Sequence, residues 1–325
     1  MIVKALTHVL SPGGSGGRLS ILIFHRVHAR SDRIRNWDLD ALEFERTIRW
    51  LKGWFNVLPL DQAIARLYEK TLPARAATIT FDDGYADNCT VAMPILRDHG
   101  LTATFFIATG YLDGGRMWND TVVEAVRYCG KPRLDLSAEG LGVHELDSEV
   151  ARRQAIMRIL NEVKYREPLA RRKAVDYVAS ATGASLPTDL MLTSEQVRAM
   201  RRAGMLIGAH TVTHPILARL DTAEVNREIS ESKQFLETLL QEHVGFFAYP
   251  NGKPNVDYRA ADANLLRGLG FDAAVTTAWG VADVQSDRMQ LPRFTPWDKT
   301  RFRFAARLVQ NLWQSSQLRA EQSAD

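Results

Sequence analysis

Ile79-Thr80-Phe81-Asp82-Asp83-Gly84-Tyr85 is the stretch on which the fold turns. An apolar run ends on two adjacent carboxylates and a glycine turn. Ala77 to Phe81 has the composition of a strand buried on both faces, which belongs to a parallel sheet. In parallel α/β folds the C-terminal ends of the strands are where chemistry collects. Neighbouring aspartates repel, and burying both is costly unless a cation or hydrogen bonds compensate. Asp-Asp-Gly equally suits a solvated turn whose side chains bond their own backbone. Both readings stand on this stretch alone.

Outward from it the same rhythm repeats. Leu19 to Phe24, Ala103 to Ala108, Leu206 to Ala209, Gly245 to Tyr249 and Ala273 to Thr276 read as further buried strands. Leu42 to Trp54, Leu60 to Tyr68, Val91 to His99, Ser194 to Ala203, Thr222 to Gln241 and Ala260 to Gly268 carry helical spacing. Thr193-Ser-Glu-Gln196 and Asp221-Thr-Ala-Glu224 mark helix starts, and Gly100, Gly204 and Gly270 mark helix ends. Strand followed by helix, repeated, means βα units, for which a barrel and a doubly wound sheet are both candidates. At 325 residues and 46% hydrophobic, the chain suits one domain around one large core. Residues 113–187 break the rhythm with a possible hairpin, Arg133 to Leu146, and two charged helices, about 149–163 and 168–182. This reads as a helical insertion beside the core, too thin in apolar residues for a domain of its own. Residues 301–318 read as a C-terminal amphipathic helix.

Composition removes several functions. With 41 basic and 38 acidic residues the charge is too balanced for general nucleic-acid binding. Arg171-Arg172-Lys173 and Arg301-Phe-Arg303 are local basic runs, either solvated faces or contacts for anionic headgroups. Cys89 and Cys129 stand alone, without a CxxC or a Cys/His cluster, and read as buried reduced thiols. No stretch reaches the roughly 18 apolar residues of a spanning helix, and the N-terminus lacks a secretory apolar region. A cytoplasmic location is the expectation.

A second constellation narrows the choice. Gly208-Ala-His210-Thr-Val-Thr-His214-Pro215 follows another apolar strand and sets two of the eight histidines four positions apart. One helical turn would bring them to one face. Neutral imidazoles with one carboxylate suit zinc and similar ions and leave positions open for water and substrate. Two partly buried structural histidines remain the plainer alternative.

Together, Thr80-Phe-Asp82-Asp83-Gly84 and His210-Thr-Val-Thr-His214, about 130 residues apart, resemble the first two signature motifs of the polysaccharide deacetylases, the NodB-homology group of carbohydrate esterase family 4. Leu22-Ile-Phe-His25-Arg-Val27 resembles the first strand of a subgroup acting on exopolysaccharides. The resemblance implies a distorted (β/α) barrel with a helical insertion. It implies a divalent metal, usually zinc, on Asp83, His210 and His214, with Asp82 as general base. The third motif departs from the family: Phe247-Ala248-Tyr249-Pro250-Asn251-Gly252 has alanine where an arginine commonly orients the catalytic aspartate. Arg293 is the candidate to supply the missing guanidinium, a structural ion pair being its other reading. By alignment the backbone N–H of Asn251 would help hold the oxyanion. The family's late catalytic histidine has no counterpart, since no histidine follows His243, which leaves His25 among the candidates for general acid.

Tyr249, Trp118 and Asp120 are candidate sugar contacts, Trp118-Asn-Asp120 resembling a Trp-x-Asp element of the subgroup. Trp279 is a weaker candidate of that type. What the resemblance implies is removal of N-acetyl groups from an amino-sugar polysaccharide, oligosaccharide or glycolipid precursor, with no nucleic-acid partner. Association with a membrane-bound polysaccharide assembly complex fits such a role. Two alternatives stay open: an amidohydrolase of a small non-sugar amide on the same fold, and a catalytically inactive carbohydrate-binding protein.

Overall fold

The structure, a computed structural model, describes residues 2–313 and 318–321. Seven strands, numbered here in chain order, form one parallel sheet: β1 Leu19–Phe24, β2 Ala76–Phe81, β3 Thr104–Ile107, β4 Leu206–Ala209, β5 Phe246–Ala248, β6 Ala273–Trp279 and β7 Leu291–Arg293. Chain order is spatial order, as right-handed βα crossovers produce. A short strand, Asn56–Val57, also pairs with the start of β2. The sheet curls until its edges meet. Leu22 bridges Phe294, Ile23 N–H donates to Phe294 O (3.0 Å), and Phe294 N–H donates to Ile21 O (2.8 Å). The result is the distorted (β/α) barrel, a sheet that abolishes most of its edge by closing on itself.

The register brings the chemistry-bearing positions to one rim. Phe24 pairs with Phe81, Phe81 with Phe105, Ile107 with Ala209, and Phe247 with both Ala209 and Ala274. Each strand therefore ends at the same level, and the residue that follows lies on the rim: His25 after β1, Asp82 after β2, His210 after β4. Side chains alternate along a strand. Ala77, Ile79 and Phe81 of β2 join the main hydrophobic cluster. The intervening Thr78, Thr80 and Asp82 take the other direction, and that sends Asp82 towards β7.

The helices surround the sheet: α1 Ile2–Leu10, α2 Ala41–Trp54, α3 Leu60–Tyr68, α4 Met93–Asp98, α5 Trp118–Tyr128, α6 Glu149–Lys164, α7 Pro168–Thr182, α8 Ser194–Arg202, α9 Thr222–Leu240, α10 Ala260–Gly268 and α11 Arg301–Trp313. Both expected start signals are capping boxes, Thr193 with Gln196 and Asp221 with Glu224. Gly100, Gly204 and Gly270 have φ of 64°, 86° and 73°, the left-handed backbone that ends a helix most cheaply at glycine. The expected helix 301–318 forms over Arg301–Trp313; residues 314–317 lie outside those described.

Among the numbered elements α1, α5 and β7 were not expected. Helix α5 begins at Trp118, inside the Trp-x-Asp element, and the short β7 (Leu-Pro-Arg) is a strand only because β1 and β6 offer it partners. The insertion forms the expected hairpin, Arg133–Asp135 against Val143–Glu145, with Gly140 at φ 70° in its turn. It is better filled than its composition suggests. Val122, Val126, Leu134, Ile156, Ile159, Val163 and Val178 make a separate apolar cluster, which Ile34 from the loop after β1 joins. Cys89 and Cys129 are unpaired, Cys129 buried as expected and Cys89 only partly. Among the described residues no helix is long and apolar enough to cross a membrane.

Candidate active site

Asp82 and Asp83 point different ways, so the two carboxylates do not share one fate. Asp82 is 2% exposed and receives the guanidinium of Arg293 on both oxygens, Nη1 to Oδ1 at 2.7 Å and Nη2 to Oδ2 at 2.6 Å. Arg293 is itself fully buried. It also donates from Nη1 to Thr80 Oγ1 (3.2 Å) and from Nε to Thr276 O (2.8 Å). A fork of this kind fixes the carboxylate plane and leaves each oxygen a second lone pair. Burial alone would raise the pKa of Asp82; Arg293 and then His210 outweigh it, and the carboxyl is held below its usual range.

Asp83 turns to the histidines. Its Oδ1 lies 3.4 Å from Nε2 of His210 and 3.4 Å from Nε2 of His214. One ligand atom from each of the three residues lies within 4.8 Å of the others. Nδ1–H of His210 donates to Ala248 O at 2.6 Å, which in the neutral ring makes Nε2 the nitrogen with the lone pair. Burial lowers the pKa of His214 to about 4, against the pull of Asp83, so its ring is neutral at pH 7. Burial acts on His210 too, but the hydrogen bond to Asp83 and the charges of both aspartates raise it. Two imidazole nitrogens facing one carboxylate are a donor set for a zinc-like ion. The residues present fit the group.

The route to this geometry is not the helical turn expected for His210 and His214. Residues 210–214 form a loop with Thr211 at φ 64° and His214 at φ 52°. Asp83 (φ 76°) and Asn251 (φ 57°) also occupy the left-handed region, which costs a non-glycine residue free energy and recurs at functional sites. Side-chain bonds hold the loop in that shape. Thr211 Oγ1 accepts from His214 N–H (3.0 Å), and Glu228 of α9 accepts from the N–H groups of Val212 and Thr213, both at 2.8 Å, and from Thr213 Oγ1 at 2.5 Å. Below the loop, a Cβ added to Gly208 would stand 2.5 Å from the ring of Phe106, so only glycine lets β4 lie this close. Removing Glu228 frees the loop without touching a ligand. We expect Glu228→Ala to weaken zinc affinity by roughly 10–100-fold, read by competition with a chromophoric chelator. Unchanged affinity would mean that the loop holds itself.

Two other expected residues reach the rim. His25 is exposed, and its backbone carbonyl accepts from Nδ2 of Asn88 (2.8 Å), in the π-helical turn Asn88–Ala92 that follows Asp83. It is close enough to act on the charges of Asp82, Asp83 and His214. Asn251 is fixed by Thr277 Oγ1 donating to its carbonyl (2.6 Å), and among the described residues its N–H has no acceptor. His25 and Asn251 share the wall of a cavity of about 490 Å³ with Trp37, Lys253, Trp297 and Lys299.

Other expectations need correction. Tyr249 is 1% exposed, stacks on Tyr258 at 3.9 Å and donates its hydroxyl to Met289 O (2.9 Å), so it is core and offers no face to a sugar. Asp120 is fully buried and paired with Arg35. It anchors α5 to the loop after β1 and has no surface for a hydroxyl group. Trp118 stays partly exposed, but beneath the guanidinium of Arg171 in a second cavity, with Tyr111 and Thr213. Trp279 packs on Phe294. The aromatics that do line the first cavity, Trp37 and Trp297, are 43% and 70% exposed and sit in loops without periodicity. Nothing in their sequence neighbourhood marks them, or Glu228.

A family model described as polysaccharide deacetylase matches residues 69–271, more than half of the chain. The polysaccharide deacetylase-type protein YxkH of Bacillus subtilis strain 168 is 22% identical over 268 residues, which span 82% of this chain and 66% of YxkH. Among solved structures, the Streptococcus pyogenes deacetylase PplD in complex with acetate superposes with a TM-score of 0.59 at 20% identity, covering 91% of this chain and 98% of that one. IcaB from Ammonifex degensii gives 0.55 at 19% identity, covering 91% and 97%. At these identities the structural likeness speaks to the fold.

Proposed function

Since the chain belongs to the polysaccharide deacetylase family, we propose that it is a metal-dependent hydrolase removing N-acetyl groups from an amino-sugar polysaccharide, oligosaccharide or glycolipid precursor. The observation that carries the proposal is the division of the two aspartates, Asp82 clamped by Arg293 and Asp83 turned to His210 and His214. A divalent ion on Asp83, His210 and His214, zinc in our reading, would supply Lewis acidity to an amide carbonyl and to water. Asp82, ionised and oriented by Arg293, takes the proton of the attacking water. The N–H of Asn251 is a preorganised donor for charge developing on the carbonyl oxygen. His25 is our candidate for returning a proton to the leaving amine.

The cavity beside His25 favours a sugar over a small amide. It is open, of a size usual for ligand sites, and edged by the indoles of Trp37 and Trp297, faces on which pyranose rings stack. That PplD was solved with acetate, the product of deacetylation, agrees with this reading. Two unpaired cysteines suit a reducing compartment, and we assign the reaction to the cytoplasm, on a lipid-linked or oligosaccharide precursor, in cooperation with a membrane-bound assembly complex. The test is acetate release from N-acetylglucosamine oligomers by purified protein, before and after chelation and with zinc restored. Release that stops with chelator and returns with zinc is the expected result. No release from any oligomer would move the assignment to a small amide or to a binding protein.

A further inference from the structure

We propose that the second cavity, between α7 and the loop at Tyr111, is a subsite for a compact oxyanion carried by the glycan, a phosphate ester or a carboxylate. The inference rests on the deacetylase reading for the identity of the carrier. The cavity measures about 540 Å³, and Arg116, Trp118, Arg171 and Arg172 line it together with Tyr111 and Thr213. It abuts the catalytic rim. Thr213 is the neighbour of His214, and Tyr111 donates its hydroxyl to Thr213 O at 2.8 Å.

Its charge is unbalanced. Arg171 is partly buried, lies 5.1 Å from the ring centre of Trp118, and makes one hydrogen bond, to Lys164 O at 3.3 Å. Among the described residues no carboxylate lies within ion-pair distance of it. By contrast Arg26, Arg35, Arg127 and Arg293 each hold an acid: Asp87, Asp120, Asp32 and Asp82. Burial without a partner lowers the pKa of Arg171, the reverse of what Arg26 and Arg35 experience. Asp176 also lines the cavity, but its nearest cation is Arg172 at 4.0 Å, so that pair cancels and leaves Arg171 and Arg116 in excess.

The helix adds to the imbalance. α7 runs for 15 residues from Pro168, its N-cap Glu167 makes no side-chain cap, and its first turn has no acid. The positive end of the helix adds to the charge of Arg171, which lies within its first turns, an arrangement that a bound anion relieves. An exposed edge of Arg171 would meet two oxygens of a phosphate or carboxylate at once, while Tyr111 lies beside the attached sugar.

Binding, measured apart from turnover, tests the proposal. Titrating the zinc-loaded Asp82→Asn protein by calorimetry with N-acetylglucosamine 1-phosphate, 2-acetamido-2-deoxyglucuronic acid and neutral N-acetylglucosamine should show the anionic sugars binding at least about tenfold tighter than the neutral one. Which of the two anions wins identifies the source of the charge. Arg171→Gln should remove the preference, Arg171→Lys should keep part of it, and raised salt should weaken it in the parent. Equal affinities for charged and neutral sugars, or a preference that survives Arg171→Gln and so resides at the metal, would overturn the proposal. If Arg171→Gln fails to fold, Arg116→Gln and the salt dependence decide. Anion binding without acetate release would sink the deacetylase reading alone, and acetate release without anion preference would sink this one alone.

Discussion

Asp82→Asn is expected to lower acetate release by roughly 10²–10⁴-fold while the protein keeps its zinc. Asparagine has the shape of aspartate but cannot accept the proton of the attacking water. It also presents an amide NH₂ to a guanidinium that now receives two carboxylate oxygens at 2.7 and 2.6 Å, so one of those bonds becomes donor against donor. The proposed ligands of the ion, Asp83, His210 and His214, are untouched. Two readouts on one preparation, turnover and zinc per protein, therefore separate the roles of adjacent carboxylates. Loss of zinc together with activity would make Asp82 a ligand and remove it as the base.

Arg293→Ala is expected to cost roughly 3–5 kcal/mol of stability, the usual result of deleting one member of a buried ion pair. Asp82 would be left charged at 2% exposure, and Thr80 Oγ1 and Thr276 O would each lose a donor. Urea unfolding reads the loss, and turnover should fall with it as the base loses its orientation. Arg293→Lys restores the charge but not the fork, and should fall between. A double replacement of Arg293 by alanine and Asp82 by asparagine should be less destabilised than Arg293→Ala alone, because the orphaned charge has gone. Full turnover in Arg293→Ala would show that the pair is structural.

The candidate centre was legible where chemistry and local structure coincide. Asp82 and Asp83 close an apolar strand, and His210 and His214 follow another; in a parallel fold, strand ends share a rim whatever the details of closure. Arg293 was legible only as a candidate: a guanidinium was missing from Ala248, and one late arginine stood in the right part of the chain. Tyr249 and Asp120 misled for one reason. Their positions within motifs are local facts, whereas the face they present depends on Tyr258, Met289 and Arg35, which arrive from elsewhere in the chain.

By itself, the sequence determined most of the strands and helices, all but α1, α5, β7 and a few two-residue strands, which strand ends bear carboxylate and imidazole, and that a metal-assisted hydrolase is the economical reading. Period-two and period-3.6 patterns, caps and glycine turns act over a few residues and need no partner to be recognised. Tertiary structure decided the pairing of Arg293 with Asp82 across 211 positions, the hold of Glu228 on the loop that carries His214, and the gathering of Trp37 and Trp297 around one cavity. Those contacts follow from the register and closure of the barrel, where a shift of one residue turns every side chain of a strand to its opposite face.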